Sequence, residues 1–321
     1  MSLLTVNDLS VSFVTRNGTT EAVKNVSFNV ESKSITAIIG ESGSGKSVSC
    51  YALLGLIPQP PGRVDSGTAE FGGRDLLSLS ERELRGIRGS DIAMIFQDPI
   101  SSLNPRRKVR DIVLEPLNIW NRGTKAEQLA AVDKILEHVG IDPQRAAESQ
   151  PHQFSGGQCQ RISIARALTL EPKVLICDEP VSSLAVSIQA QILNILQEMK
   201  VRYGLSLIFI SHDLAVVRAI STRILVMYLG KVCEIADPDT LCDSPRHHYT
   251  HALVSSVPVP DPTVHRHSAI LQGEPPSPTN PPSGCRFRTR CAAATELCAT
   301  EEPQLRETTP GNYVACHHPR D

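Results

Sequence analysis

Eight consecutive residues, Gly40-Glu41-Ser42-Gly43-Ser44-Gly45-Lys46-Ser47, constrain this chain more than any other stretch. They satisfy the pattern G-x-x-x-x-G-K-[ST] at every fixed position. The preceding run, residues 35–39, is short, apolar and rich in isoleucine, and predicts a buried strand. The following run, Val48 to Gly55, predicts a helix that ends before Pro58. Glycines in such a turn let backbone N–H groups face phosphate oxygens where a Cβ would intrude. The helix N-terminus adds partial positive charge. In a loop of this kind Lys46 reaches the β- and γ-phosphates of a nucleotide, and the Ser47 hydroxyl ligates Mg²⁺. A plain Gly/Ser surface loop is the alternative, but it has no use for Lys46-Ser47 at a helix start.

The length, 321 residues, suggests one large domain with an appendage, or two domains. A net charge of −2 and 4% aromatic residues give neither the basic footprint nor the stacking platform of a nucleic-acid binder. No apolar run approaches the ~18 residues that cross a bilayer, and the start, Met1-Ser2-Leu3-Leu4-Thr5, is unlike a signal peptide. The expectation is therefore a cytosolic chain that meets a membrane only through a partner. In a reducing cytosol the nine cysteines are not expected to form disulfides.

Along the chain, residues 9–13 and 26–30 alternate as strands, with Asn17-Gly18 as the turn between them. Phe13 is a candidate for stacking on adenine, or a plain core aromatic. Ser80 to Glu83 has the spacing of a capped helix start. Asp91 to Phe96 reads as a buried strand ending at Gln97. From about Ile100 to Gln153 the pattern turns helical, with Leu129, Val132, Ile135, Leu136 and Val139 at helical spacing. Ser155-Gly156-Gly157-Gln158 precedes a helix expected from Cys159 to Thr169. Lys173 to Glu179 is a strand ending in two carboxylates, and Ser206 to Ile210 a strand ending in Ser211-His212-Asp213. The alternation predicts an α/β fold with a mainly parallel core behind an antiparallel β subdomain.

An open α/β sheet places its chemistry at the carboxyl ends of its strands. Nucleotide hydrolysis needs a metal ligand, a group that activates water, and donors for the departing phosphate. Asp178 suits the Mg²⁺ shell. Glu179, next in the chain, would point elsewhere and activate water. Gln97 can sense metal and water, and His212 can contact the γ-phosphate. Taken alone His212 would be a structural histidine, but it ends a strand beside this set.

In this order the phosphate loop, Gln97, Ser155-Gly156-Gly157-Gln158, Val174 to Glu179 and His212 resemble the ATPase subunits of ABC transporters over about residues 1–255. The resemblance implies a P-loop NTPase fold, with ATP and Mg²⁺ as cofactors. It implies a head-to-tail dimer with a second ATPase subunit, self or paralogue, in which Ser155, Gly156, Gly157 and Gln158 cap the γ-phosphate held by the opposite chain. It also implies two membrane permease subunits, an indirect substrate-binding protein and a peripheral place on the cytoplasmic face of the bacterial inner membrane. Soluble ABC ATPases of translation or DNA repair are the rival. They carry two nucleotide domains or a long coiled coil, and neither is visible here.

Phe96 to Pro99, Ser101 to Pro105, Pro151 to Phe154 and Pro245 to Thr250 resemble the dipeptide/oligopeptide and nickel importer subfamily more narrowly. That suggests peptide import, with nickel or another small solute as the alternative. The expected domains are a nucleotide-binding domain at 1–256, with a helical subdomain at about 98–165 that receives the permeases. A Pro-rich linker and a Cys-bearing module at 257–321 follow. The module has too few apolar residues to order itself without a staple. Cys285, Cys291, Cys298 and Cys316 are its candidate ligands, and four thiolates suit Zn²⁺ and an iron–sulfur cluster equally. His317 and His318 are further candidates. Some subfamily members hold a [4Fe–4S] cluster there, which the resemblance favours. One departure is notable. Ser183-Leu184-Ala185 stands where the family usually reads Ala-Leu-Asp. The missing carboxylate implies an intact partner loop or a hydrolytically weak, regulatory subunit.

Overall fold

The computed structural model describes residues 2–16, 18–182, 184–257 and 273–321. Asn17 of the expected turn, Ser183 and residues 258–272 of the expected linker lie outside the described residues. Twelve strands and eleven α-helices follow one another along the described chain. The first elements are β1 (Ser2–Thr15), β2 (Gly18–Glu31), β3 (Ile35–Ile39), α1 (Lys46–Leu53), β4 (Gly62–Phe71), β5 (Arg74–Asp75) and α2 (Glu81–Arg85). Next come β6 (Ile92–Ile95), α3 (Val109–Ile119), α4 (Lys125–His138), α5 (Pro143–Glu148), α6 (Gly156–Leu168), β7 (Val174–Asp178) and α7 (Val186–Tyr203). After these are β8 (Ser206–Ser211), α8 (Leu214–Ile220), β9 (Arg223–Tyr228), β10 (Lys231–Ala236), α9 (Pro238–Asp243) and α10 (His248–Ser255). The chain closes with α11 (Glu296–Thr300), β11 (Arg306–Thr309) and β12 (Asn312–Val314).

These elements form two compact units, one of Met1–Glu81 with Ser211–Asp321, the other of Arg82–Ile210. In the first unit, β2-β1-β4-β5 make an antiparallel sheet. Leu4, Val6, Leu9 and Val11 of β1 are buried, as are Val26, Phe28 and Val30 of β2, so apolar side chains hold the register. The same unit orders β11-β12-β10-β9-β3 side by side, with β3 parallel to β9 and the other pairs antiparallel. All five residues of β3 are buried, which accounts for its unbroken apolar run. In the second unit β8, β7 and β6 run parallel, surrounded in sequence by α3 to α7. No helix of the described residues is long and apolar enough to cross a membrane.

Two helices begin earlier than their periodicity predicts, for local reasons. Helix α1 starts at Lys46, since Gly45 at φ +97° takes the left-handed conformation that turns the chain into the helix. Helix α6 starts at Gly156, three residues before Cys159, because Ser155 caps it. The Ser155 hydroxyl accepts from Gln158 N at 3.3 Å, and the Gln158 side chain accepts from Ser155 N at 3.0 Å. Helix α4 spans the expected stretch, opened by a capping box of Thr124 and Glu127.

The C-terminal stretch is built into the first unit. Strand β12 pairs with β10, placing Val314 opposite Glu234. Phe287 is buried against the rings of Tyr228 at 5.3 Å and Tyr249 at 5.4 Å. Arg286 ion-pairs with Glu21 at 2.8 Å and donates to the Leu229 carbonyl. Lys231 pairs with Glu302. The tail thus gains its order from β10 and from buried aromatic rings as well as from any ligand its cysteines take.

Candidate nucleotide site

The phosphate loop joins β3 to α1. A Cβ on Gly40 would run into the Met227 carbonyl, and one on Gly45 would come 2.5 Å from the Ala22 carbonyl, so both close approaches require glycine. Lys46 is 5% exposed, and its Nζ donates to the carbonyls of Gly40 at 2.9 Å and Glu41 at 3.0 Å. The ammonium is thereby drawn across the loop, where a phosphate can share it. Ser44 Oγ is buried with no hydrogen-bond partner among the described residues. Helix α1 has no side-chain cap, so its first N–H groups lack that competitor. Ser42 and Gly43 are exposed at the tip, and Ser47 is half-buried on the first turn. A buried Ser44 hydroxyl, an uncapped helix start and the Lys46 ammonium together fit an oxyanion.

His212 belongs to the same unit. It follows β8, and Asp213 caps α8 by accepting from Ala215 N at 2.9 Å and Val216 N at 3.2 Å. A cleft of about 370 Å³ is lined by Gly40, Glu41, His212 and Asp213 among others, so the histidine faces the opening of the loop. Phe13 is half-buried on β1, opposite Gly62 of β4. A Cβ on Gly62 would approach its ring to 2.9 Å.

The second unit carries the carboxylates. Asp178, 1% exposed, ends β7. Glu179 leaves the strand at φ +46°, a left-handed conformation, and its N–H donates to the Ile210 carbonyl at 3.1 Å. The change of backbone direction aims the two neighbouring acids differently. Gln97 Nε2 donates to Glu179 Oε2 at 3.2 Å. The signature residues open α6, with Ser155 exposed and Gly156, Gly157 and Gln158 half-buried. Gln158 spends its side-chain oxygen on the Ser155 N–H, so its observed role is to fix the helix start. A Cβ on Gly157 would lie 2.6 Å from Ile188 of α7, which explains that glycine through packing. Ala185 stands at the N-cap of α7 and offers no side-chain cap. Burial pushes the Cys177 thiol well up, which makes it inert core.

Cys285, Cys291, Cys298 and Cys316 line one small cavity together with His247, His248, His317 and His318. Its free volume is about 10 Å³. Burial pushes the Cys316 thiol up to about 11, and the neighbouring Cys285, Cys291 and Cys298 add to that. Burial likewise raises Cys285 and Cys291. Four cysteines lining one cavity are a donor set of the soft type that zinc and iron–sulfur sites use. Among the described residues, however, no three His, Cys, Asp or Glu side chains already stand as a closed ligand group.

Two residues at the loop have no counterpart in motif reading. The Tyr249 hydroxyl accepts from Glu41 N at 2.9 Å, and Arg290 grips the Glu41 carboxylate at 2.8 and 3.2 Å. They lie more than 200 residues away in sequence, and of the two only Tyr249 falls in a stretch, Pro245 to Thr250, that carries the subfamily resemblance.

Comparison with known proteins places this arrangement. The ABC transporter family matches residues 23–182, and the oligopeptide/dipeptide transporter C-terminal region matches residues 233–298. The chain is 46% identical to the oligopeptide transport ATP-binding protein AppF of Bacillus subtilis, over 95% of this chain and 92% of that one. It is also 46% identical to the oligopeptide transport ATP-binding protein OppF of Haemophilus influenzae, over 98% and 96%. The ATP-binding cassette MJ0796, in a dimeric post-hydrolysis state bound to ADP and Pi, superposes with a TM-score of 0.66 at 26% identity, covering 73% of this chain and 98% of its own. With its phosphate loop, its paired strand-end acids and that C-terminal region, the chain belongs to the ATPase subunits of ABC transporters, in the branch that bears the oligopeptide/dipeptide C-terminal region.

Proposed function

We propose that this subunit hydrolyses ATP to drive import of di- or oligopeptides, working at the cytoplasmic face of the bacterial inner membrane with two permeases and a second ATPase chain. The observation that carries the reading is the joint presence of the phosphate loop and the oligopeptide/dipeptide C-terminal region in a chain nearly collinear with AppF and OppF.

Residues 40–47 hold the phosphates, with Lys46 moving from the Gly40 and Glu41 carbonyls onto the β- and γ-oxygens. Phe13 stacks on the adenine. Mg²⁺, when bound, neutralises the β- and γ-phosphates, and Ser47, Asp178 and Gln97 are the hard oxygen donors to hold it. Glu179 accepts the proton of the attacking water, oriented by Gln97. His212 donates to the γ-phosphate. Ser155, Gly156 and Gly157 present the α6 N-terminus to the nucleotide of the opposite chain. Gln158 supports them by its capping bond. Residues 1–256 form the nucleotide-binding domain, and the helices around 98–165 receive the permeases. Cys285, Cys291, Cys298 and Cys316 would hold a [4Fe–4S] cluster, with Zn²⁺ the competing occupant. Either would cross-link the tail.

Ala185 favours a second reading, in which this chain is the weaker partner of a paralogous ATPase. Reconstitution with the cognate permeases separates the two. Peptide-stimulated ATP turnover that disappears with Glu179→Gln in this chain supports the first. Turnover indifferent to that substitution supports the second, and no stimulation by any peptide overturns peptide import.

A further inference from the structure

Every polar group of Glu41 is engaged, each by a different part of the fold. Its carbonyl accepts from Lys46 Nζ at 3.0 Å and Ser44 N at 3.2 Å. Its N–H donates to the Tyr249 hydroxyl on α10 at 2.9 Å. Its carboxylate receives both terminal nitrogens of Arg290, a residue of the C-terminal tail that immediately precedes Cys291. The Arg290 side chain is 5% exposed and the Glu41 side chain 26%, so the pair is largely withdrawn from solvent. The guanidinium lies 5.9 Å from the centre of the Tyr228 ring, and Nη1 is 3.4 Å from the Tyr228 hydroxyl. Phe287, three residues before Arg290, packs on Tyr228 and Tyr249 and buttresses both.

A carboxylate in a loop built to gather phosphates is a like charge in the wrong place. Left alone it would repel the nucleotide. A forked guanidinium both neutralises it and fixes its direction, because two parallel N–H donors define a plane. We infer that Arg290 is a positioning residue for the phosphate loop: from the tail it holds the Glu41 carboxylate neutralised and fixed in one direction, and so keeps the loop receptive to nucleotide phosphates. The inference rests on the loop's being the ATP site. It gives the C-terminal region a part in nucleotide affinity that its cysteines alone do not suggest.

The test is ATP hydrolysis by the full chain in its assembled transporter, reading KM and kcat separately. Arg290→Met keeps an unbranched side chain and removes the charge. It should raise the KM for ATP about ten-fold, a loss on the order of one charged hydrogen-bond pair, with kcat within two-fold. Arg290→Lys restores the charge without the fork and should recover most of the affinity. Glu41→Ala should raise KM only about two- to three-fold, since no unpaired carboxylate remains. The combination Arg290→Met with Glu41→Ala should then behave like Glu41→Ala alone. A merely structural arginine would not show that rescue. Glu302→Ala, which removes the tail's pair with Lys231 away from the loop, should leave KM unchanged. An Arg290→Met KM within two-fold of wild type overturns the inference, as does a double variant as impaired as Arg290→Met. A wild-type transporter whose hydrolysis does not saturate with ATP overturns instead the reading on which it rests.

Discussion

Gln97 and Glu179 meet through a hydrogen bond of 3.2 Å from Nε2 to Oε2, across the ends of two parallel neighbours, β6 and β7. The register sets Ile95 opposite Cys177, so residues two steps further on emerge from adjacent strands at one edge. An amide that donates to a carboxylate fixes the direction in which that carboxylate points.

Glu179→Gln should retain ATP binding and lose turnover by about 100-fold or more, the usual loss for a positioned proton acceptor. Equilibrium nucleotide binding beside steady-state hydrolysis checks this. Wild-type turnover in the variant would remove Glu179 from the chemistry.

Lys46→Ala should weaken ATP binding at least about ten-fold, since a charge-assisted contact to phosphate is lost. It also strips the Gly40 and Glu41 carbonyls of their shared donor. Titration with a fluorescent ATP analogue reads the effect, and unchanged affinity would refute the role.

Ala185→Asp should act twice. At the N-cap of an 18-residue helix, an Asp acceptor stabilises by about 1 kcal/mol over Ala. For a chain of this size that amounts to roughly 2 °C in melting temperature. In the assembled transporter the carboxylate should also raise ATP turnover. Ala185→Ser supplies the cap alone. If both variants raise turnover equally, the gain comes from helix stability, and if neither does, the loop sequence is compensated elsewhere.

Glu234 is buried, and burial drives its carboxyl above the ordinary value near 4.5 despite hydrogen bonds from Arg246 N at 3.0 Å and His247 N at 2.9 Å. A raised folded value means the folded state holds the proton longer than the unfolded one. Its contribution to stability is therefore full below about pH 4.5 and is lost as pH rises through the folded value. Urea unfolding of wild type and Glu234→Gln across pH 4.5 to 8 should show the wild type losing ground to the variant as pH rises. A constant difference would contradict it.

Metal analysis of protein purified without oxygen tests the tail. Iron and sulfide in equal amounts, with absorption near ~400 nm, are expected for a four-Cys cluster. Zinc without iron would keep the cross-link and reject the cluster, and neither metal would reject both. If either metal is found, substituting Cys298 by Ser should release it and lower the melting temperature.

Local sequence carried much of this protein. Eight adjacent residues identify the phosphate loop, because its chemistry depends on glycine conformations and a helix start that the chain itself dictates. The positions of Gln97, two residues past β6, of Asp178 at the end of β7 and of His212 just past β8 were legible for a similar reason: an apolar run that gives way to polar residues marks where a strand stops. The capping role of Gln158 was within reach too, since Ser155 and Gln158 have the spacing of a capping box. What periodicity could not give is contact between distant residues. Arg290 sits 249 residues from Glu41, Tyr249 sits 208 from it, and β12 finds β10 across some 80 residues. Such pairs have no local signature, since any arginine or tyrosine on the surface reads alike. The sequence by itself thus determined where the glycine-rich loop lies and that a helix starts at its end. Only the tertiary structure decided what holds the loop in shape, because burial of Phe287 against Tyr228 and Tyr249 is what brings the tail's guanidinium to the Glu41 carboxylate.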